Sequence, residues 1–444
     1  MQTGSGPAFL QGIASKAQLI RAGHQAGIAQ ARPDLRPSGL LFAGMGGSGA
    51  AAMLVRDAAS CVLEKPYTIT QHHGVPHHVK SDWHVLAVSY SGETEETIAA
   101  VREAGRRGCG VTAFSTGGTL ATLADGHVTQ PTGYMPRVAL AHAWFSVLGF
   151  LEGSGMLAER VPVKEAMAAV REVDLACGPE VPEAQNEAKQ LARRLHERIP
   201  QIYATPAFAG IGTFFAALLN ENAKKIADVD EIPECNHNAF TGWSGDANRK
   251  HFTVLVLSGK GQDPELARRI DFMRERYTKW GVPWDHREFA ATGTFAEHVV
   301  EQARALQLLD YASYYTALLR GVDPAEIEAV TDLKHFLRRP EDVTLLEVCP
   351  RGRPNHRLPT RRPPVIAPSV AALQEVLTGR PPVTASDLRA LTGLPRRTIS
   401  GALRVLRARG DLRQQQSLKD SRKTFFWLAT AAPAEHLGSA AASS

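Results

Sequence analysis

Two stretches decide the reading of this chain: LLFAGMGGSGAAAML at residues 40–54 and VLAVSYSGETEET at residues 85–97. Each opens with an apolar run, breaks into small residues and hydroxyls, then resumes with a helical pattern. That is the layout of a buried parallel strand feeding a turn at a helix N-terminus. An anion in such a turn meets unpaired backbone N–H groups, the positive end of a helix dipole and Ser or Thr hydroxyls. Two such turns, about forty residues apart, predict neighbouring strands of one sheet whose loops open on the same edge.

The segment Gly44–Gly49 matches G-x-G-x-x-G. A dinucleotide site would also want an acid at the end of the next strand, to hold the ribose hydroxyls. Here the predicted strand Tyr67–Gln71 runs into His72 and His73. A phosphate-bearing small molecule fits better, because Ser48 adds a hydroxyl to the backbone donors around Gly47. The second stretch supplies Ser89, Ser91 and Thr94. Alternate positions leaving a strand point the same way, so Ser89 and Ser91 are expected to face one ligand. A helix cap explains one hydroxyl, but not three together with the glycines. Glu93 and Glu95 are expected to point to solvent or to the helix dipole.

Outward from these turns, residues 1–38 read as helical, with Phe9, Ile13, Leu19 and Ile20 on one side. Strands are expected at Leu40–Ala43, Tyr67–Gln71, Val85–Ser89 and Gly110–Phe114, with helices between them, giving a first α/β domain over residues 39–180. A charged helix over Pro182–Glu197 leads out of it. A second α/β domain follows over 181–338: strands IPQIYATP, HFTVLVLSG and Trp284–Ala290, helices Phe208–Ala227, Pro264–Trp280 and Thr294–Arg320, and a short helix pair in PAEIEAVTDLKHFL. Two α/β units of similar length suggest an internal duplication. Residues 339–368 are rich in Pro and Arg and read as a linker. A third unit occupies 369–428, and a small, polar tail, expected to be disordered, occupies 429–444.

Composition bounds the rest. With 444 residues the chain is too long for one core. A hydrophobic share of 44% and a charged share of 21% are those of an ordinary globular protein. No apolar run approaches the ~20 residues of a membrane span, and the N-terminus has no charged-then-apolar signal segment. The five cysteines (Cys61, Cys109, Cys177, Cys235, Cys349) are scattered without a CxxC, which predicts reduced thiols in a cytoplasm. The net charge of +5 hides an asymmetry: residues 350–428 carry sixteen Lys and Arg against four Asp and Glu. A basic module on an acidic body suggests a nucleic-acid partner for that module alone.

Further motifs are TGYMPRVAL (132–140), NENAK (220–224), PECNHN (233–238) and LKHFL (333–337). Glu221 sits among polar neighbours inside an apolar helix, where a carboxylate is costly unless used or paired. Pairing with Lys224 or Lys225 is the plain alternative to a catalytic role. His237 lies in a loop and is equally readable as an exposed side chain. Arg137 follows Pro136 in a loop and suits an enediolate or a phosphate. Lys334 is readable as a surface lysine.

With its glycine and serine turns, the chain resembles the sugar isomerase (SIS) domains. With NENAK, PECNHN and LKHFL, in that order over roughly residues 1–340, it resembles the bifunctional phosphoglucose/phosphomannose isomerase family. That resemblance implies two doubly wound SIS domains. It also implies aldose–ketose isomerisation of glucose 6-phosphate and mannose 6-phosphate with fructose 6-phosphate through a cis-enediol. Glu221 would be the proton-transfer base, Arg137 would stabilise the intermediate, and His237 and Lys334 would open and close the ring. Gly47, Ser48, Ser89, Ser91 and Thr94 would hold the phosphate. In that family the histidine reaches the site from the second subunit of a homodimer. No cofactor and no metal are implied, in keeping with the lack of any His, Cys and carboxylate cluster at ligand spacing. Glu93 and Ala239 depart from the family, which more often has Asn and Glu there.

The third unit lies beyond the family's usual length. TASDLRALTGLPRRTISGALRVLRARGDL resembles a winged helix-turn-helix, with Leu388, Leu391, Leu394, Ile399, Leu403 and Leu406 spaced as two packed helices. Arg396, Arg397 and Thr398 open the second helix, where a recognition helix meets DNA. Lys419, Arg422 and Lys423 lie in the expected wing and suit phosphate contacts. A protein-contact role for this unit is the alternative. The competing reading of the whole chain is a sugar-phosphate-sensing transcription regulator. Such regulators usually carry their DNA-binding part at the N-terminus, and have no reason to keep a Glu221, His237 and Lys334 set.

Overall fold

The computed structural model describes residues 6–63, 65–261, 263–337, 368–378, 380, 382–408, 411–416 and 424–428. They fall into two compact units that divide between residues 342 and 343.

The first unit begins with helices α1 (Gly6–Ala14) and α2 (Lys16–Ala29). Phe9, Ile13, Leu19 and Ile20 are all buried, as their helical spacing predicts. Then come β1 (Gly39–Ala43), α3 (Gly46–Ala59), β2 (Tyr67–Thr70), β3 (Trp83–Val88), α4 (Glu95–Arg106), β4 (Gly110–Ser115), α5 (Gly118–Leu123) and β5 (Gly126–Thr129). The five strands are parallel in the order β2-β1-β3-β4-β5. Along β1 the faces alternate: Leu40 and Phe42 enter the main core, while Leu41 and Ala43 enter a second cluster under α4. A sheet buried on both faces is what makes its strands read as unbroken apolar runs.

Helices α6 (Leu140–Gly153), α7 (Val163–Cys177) and α8 (Glu187–His196) lead to the second sheet. Its elements are β6 (Ile199–Ala204), α9 (Ala209–Ala223), β7 (Asp228–Glu231), a four-residue α10 (Ala239–Gly242), β8 (Phe252–Gly259), α11 (Pro264–Lys279), β9 (Trp284–Phe289), α12 (Phe295–Leu319) and α13 (Glu328–Leu337). The parallel order β7-β6-β8-β9 repeats the first four positions of the other sheet. The duplication suggested by unit length is therefore visible as topology. Where a helix pair was expected after residue 324, one helix, α13, forms.

In the first unit two strands escaped the sequence reading, β5 (GHVT) and β7 (DVDE). Both are edge strands with little buried apolar surface, so neither displays a hydrophobic run or period. Between the sheets, α6 is buried along Leu140–Leu151 and α12 packs against α3, α7, α8 and α9. Side chains from both sheets fill one continuous cluster, including Phe42, Leu86, Ile202 and Leu257.

In the second unit, α14 (Pro368–Leu377), β10 (Val383–Thr384), α15 (Ala385–Thr392), α16 (Arg396–Ala408), β11 (Leu412–Gln416) and β12 (Thr424–Leu428) are described. The strands are antiparallel in the order β10-β12-β11. Thr384 and Asp387 form a capping box at the start of α15, and Gly393 (φ 64°) ends it in the left-handed conformation. Leu388, Ile399, Leu403 and Leu406 are buried as their spacing predicts, whereas Leu391 is 43% exposed and faces away from that core.

Most of the expected linker, 339–367, and the tail 429–444 lie outside the described residues. Among the described residues no helix is long and apolar enough to cross a membrane, and no group of three or more His, Cys, Asp or Glu could hold a metal ion. Cys61, Cys109, Cys177 and Cys235 are unpaired thiols.

Candidate active site

In the order β2-β1-β3-β4-β5 the chain reverses direction across the sheet between β1 and β3. Ligands of open parallel sheets bind at the carboxyl ends of the strands at that switch point. The two stretches that open the sequence reading both end there.

The first turn closes on α3. Met45 is extended, Gly46 takes φ 51°, and Gly46, Gly47 and Ser48 form the first turn of the helix. The N–H groups of that turn have no helical acceptor. The second turn follows β3, which ends at Val88. Strand alternation therefore does not carry through to Ser89 and Ser91. Instead Gly92 N–H donates to the Ser89 carbonyl at 3.0 Å, and Gly92 adopts φ 71°. Ser89 is buried, and its hydroxyl bonds the Thr94 hydroxyl at 2.8 Å. Ser91 is exposed, and its Oγ accepts the Glu93 N–H at 3.2 Å. Glu93 itself reaches the start of α5, where it accepts the Thr119 N–H at 2.7 Å and the Thr119 hydroxyl at 2.9 Å. Its carboxylate thus meets the N-terminus of α5.

Tyr90, between the two serines, was not singled out from sequence. Its hydroxyl donates to the Pro131 carbonyl at 2.8 Å and accepts the Tyr134 N–H at 3.1 Å. It thereby pins the 131–139 loop, which carries Arg137, to the second turn. A crevice lined by Gly47, Ser48, Tyr90, Gln130 and Pro136 joins the first turn to this loop.

Helix α9 approaches from the other sheet. Asp57 of α3 accepts the Gly210 N–H at 2.6 Å, which locks α3 against the start of α9. A Cβ on Gly47 would lie 3.7 Å from both the Phe214 ring and Arg137 Cα. Glu221 follows Phe214 by seven residues, two helical turns, so both lie on the same side of α9. Its carboxylate, 34% exposed, lies 3.5 Å from Arg137 Nη1. Arg137 is 5% exposed. Burial pushes its pKa down, and the nearby carboxylates of Glu221, Asp310 and Asp323 pull it back up.

The alternative partners for Glu221 are engaged elsewhere. Lys224 Nζ bonds the carbonyls of Asp323 and Glu326, and Lys225 Nζ bonds the His196 carbonyl. Glu221 thus makes its ion pair with an arginine from the other sheet's loop, while Lys224 feels its charge without a bond to it. Asn222, another residue passed over in the sequence, accepts the Arg137 Nε–H at 2.6 Å. Phe9 covers the guanidinium at 5.4 Å from ring centroid to Cζ. Neither partner carries a signal in sequence, beyond Asn222 standing next to Glu221.

The remaining candidates are not joined to this cluster. His237 is exposed on a short 3-10 turn, Glu234–His237, and no described hydrogen bond or ion pair links it to Glu221 or Arg137. Lys334 lies in α13, with its side chain outside the described part; the chain leading into that helix is held by Arg137 through the carbonyls of Pro324 (2.6 Å) and Ala325 (3.1 Å). In the second unit Arg396 and Arg397 are exposed at the start of α16, and Thr398 is half-buried. Lys419, Arg422 and Lys423 lie outside the described residues.

Residues 184–337 match the family model of the bacterial phospho-glucose isomerase C-terminal SIS domain. The bifunctional phosphoglucose/phosphomannose isomerase of Aquifex aeolicus is 27% identical over 316 residues, covering 69% of this chain and 92% of that one. Its namesake from Caldicellulosiruptor bescii is 28% identical over 314 residues, covering 68% and 90%. A hypothetical protein from Thermus thermophilus shares the fold at 14% identity, with a TM-score of 0.58 over 76% of this chain and 90% of that one. Residues 184–337 are thus similar to a SIS domain, and about two thirds of the chain is similar to bifunctional phosphoglucose/phosphomannose isomerases.

Proposed function

We propose that this chain is an aldose–ketose isomerase that interconverts glucose 6-phosphate and mannose 6-phosphate with fructose 6-phosphate. The observation that carries the reading is the Glu221–Arg137 pair beside the glycine and serine turns, in a chain whose relatives bear that activity in their names. The phosphate sits on Gly47, Ser48, Ser89, Ser91 and Thr94, at the N-termini of α3 and α4. Glu221 takes the proton from C2 of the open-chain aldose, and the electron pair forms the C1–C2 double bond as charge develops on O1. Arg137 Nη1 stabilises that charge. A proton then passes from O2 to O1, and return of the first proton to C1 as the C2=O2 bond forms gives the ketose. The cis-enediol has no stereocentre at C2, so both epimers pass through it.

His237 and Lys334 open and close the ring. The exposure of His237, and the absence of any bond from it to Glu221 among the described residues, favour a homodimer in which each histidine serves the other subunit's site. The two SIS domains span 39–180 and 181–338 in this reading, and the enzyme works in the cytoplasm. A coupled assay with each hexose phosphate tests it. Turnover of both, lost by at least ~100-fold in a folded Glu221→Gln variant, is expected. A folded wild-type protein that turns over neither substrate would sink the reading.

A second reading concerns residues 369–428. The exposed face of α16 carries Arg396, Arg397, Arg404 and Arg407 with no acid on the helix, and its buried face packs Ile399, Leu403 and Leu406. This favours a winged helix whose second helix contacts DNA phosphates and bases. Binding to duplex DNA across a salt series should weaken with a steep log–log slope. Salt-independent or absent binding retires the DNA role.

A further inference from the structure

A guanidinium has five N–H donors in a fixed plane. In Arg137, Nε donates to Asn222 Oδ1 at 2.6 Å, and Nη2 donates to the Pro324 and Ala325 carbonyls at 2.6 and 3.1 Å. Nη1 is the nitrogen with no hydrogen bond among the described residues, and it faces Glu221 Oε2 at 3.5 Å. The Phe9 ring covers one face of the group. Which edge of Arg137 is presented to a reacting sugar is therefore decided by whatever fixes Nε and Nη2.

Backbone carbonyls fix Nη2. Nε is fixed by one side chain, and that side chain cannot turn over. Asn222 is 0% exposed, and its Nδ2 donates to Ser313 Oγ at 2.8 Å. Ser313 Oγ in turn donates to the Asp310 carbonyl at 2.8 Å, so its lone pairs are what Asn222 meets. A flipped amide would set NH2 against the Arg137 N–H and a carbonyl oxygen against an oxygen whose proton is already committed. The relay thus permits one amide orientation, and that orientation permits one placement of the guanidinium.

We propose that Asn222 is a positioning residue for the isomerisation: through Ser313 and Asp310 it holds Arg137 so that its Nη1 edge alone is offered to Glu221 and the developing oxyanion. This rests on the isomerase reading of the same site. Asn222 does not touch substrate. It acts by denying Arg137 a second rotamer in which Nε would face the sugar and Nη1 would be buried. Because the placement is made before substrate arrives, its loss should appear in the chemical step and not in phosphate binding.

The test is a double-mutant cycle on kcat with glucose 6-phosphate, each variant scaled to folded protein by circular dichroism and urea unfolding. Asn222→Ala should lower kcat by roughly 10- to 100-fold, with KM within about threefold of wild type. Ser313→Ala, which loosens the relay one step back, should show a smaller loss of the same kind. In an Arg137→Lys background, which has no Nε–H to hold, adding Asn222→Ala should cost less than about twofold more. A wild type without turnover defeats the isomerase reading itself. Turnover in the wild type with losses that multiply in the cycle, or an Asn222→Ala kcat within about threefold of wild type, overturns the role of Asn222 and leaves the isomerase reading intact.

Discussion

Replacing Gly210 by alanine probes how tightly the two halves of the site are pressed together. A Cβ at that position would lie 2.9 Å from Met53 Cβ, 3.0 Å from Asp57 Oδ2 and 3.1 Å from Leu54 N. Carbon atoms rest at ~3.5–4.0 Å, so α3 and α9 must part by roughly 0.5–1 Å. Overpacking of this size costs about 1–3 kcal/mol. Stretching the Gly210 N–H bond to Asp57 adds about 1 kcal/mol. Alanine's helix propensity returns at most about 1 kcal/mol, and less in a first turn. The net expectation is a loss of roughly 1–3 kcal/mol, read from the urea midpoint at unchanged slope. Gly105→Ala is the matched control: it lies in α4, is exposed and has nothing within 4 Å, so it should gain up to about 1 kcal/mol. Because Glu221 rides on α9 and Gly47 on α3, kcat of Gly210→Ala should also fall several-fold while Gly105→Ala keeps it. A Gly210→Ala protein as stable as the Gly105 control would refute the close crossing and the transmission argued from it.

Two further outcomes follow from the same helices and turns. Burial raises the Asp57 carboxyl to about 6, against the pull of Arg56 and the Gly210 N–H. A carboxyl raised in the folded state binds more protons there than when unfolded. It therefore makes stability fall as pH rises from about 4 to about 6, with no further change above. The stability of Asp57→Asn minus that of wild type should rise across this window, by up to about 3 kcal/mol; a flat difference would contradict the burial of that charge. Ser89→Ala removes one hydroxyl of the proposed phosphate cradle, where a bond to a charged group contributes ~1.5–3 kcal/mol. KM for the hexose phosphates should rise at least tenfold with kcat nearly kept, since the phosphate is held alike in ground and transition states. A kcat loss at constant KM would move Ser89 from binding to chemistry.

The sequence revealed most where one local pattern had one structural meaning. An apolar run closing on glycine and serine at 40–54 and 85–97 could form little else than buried strands entering helix N-termini, and β1 and β3 are neighbours. The strands at 126–129 and 228–231 were silent because an edge strand with polar side chains needs no apolar run. Within the site, Glu221 was legible as a carboxylate out of place in an apolar helix. Its partner was not, because Arg137 comes from the other sheet's loop and meets Asn222 across 85 residues of chain. Nearby lysines looked adequate until their amines were seen on backbone carbonyls. Strand alternation could not decide the directions of Ser89 and Ser91, because the strand stops at Val88 and both serines lie in the turn that follows.

The single cluster filled from both sheets has a thermodynamic consequence. Phe42 and Leu86 from one sheet and Ile202 and Leu257 from the other belong to one cluster, so each half loses the larger part of its core once the other has melted. Residues 6–337 should therefore unfold in one cooperative transition, with calorimetric and van't Hoff enthalpies that agree. A sugar phosphate bound to the turns of the first sheet would then protect amides of the second sheet from hydrogen exchange as strongly as its own.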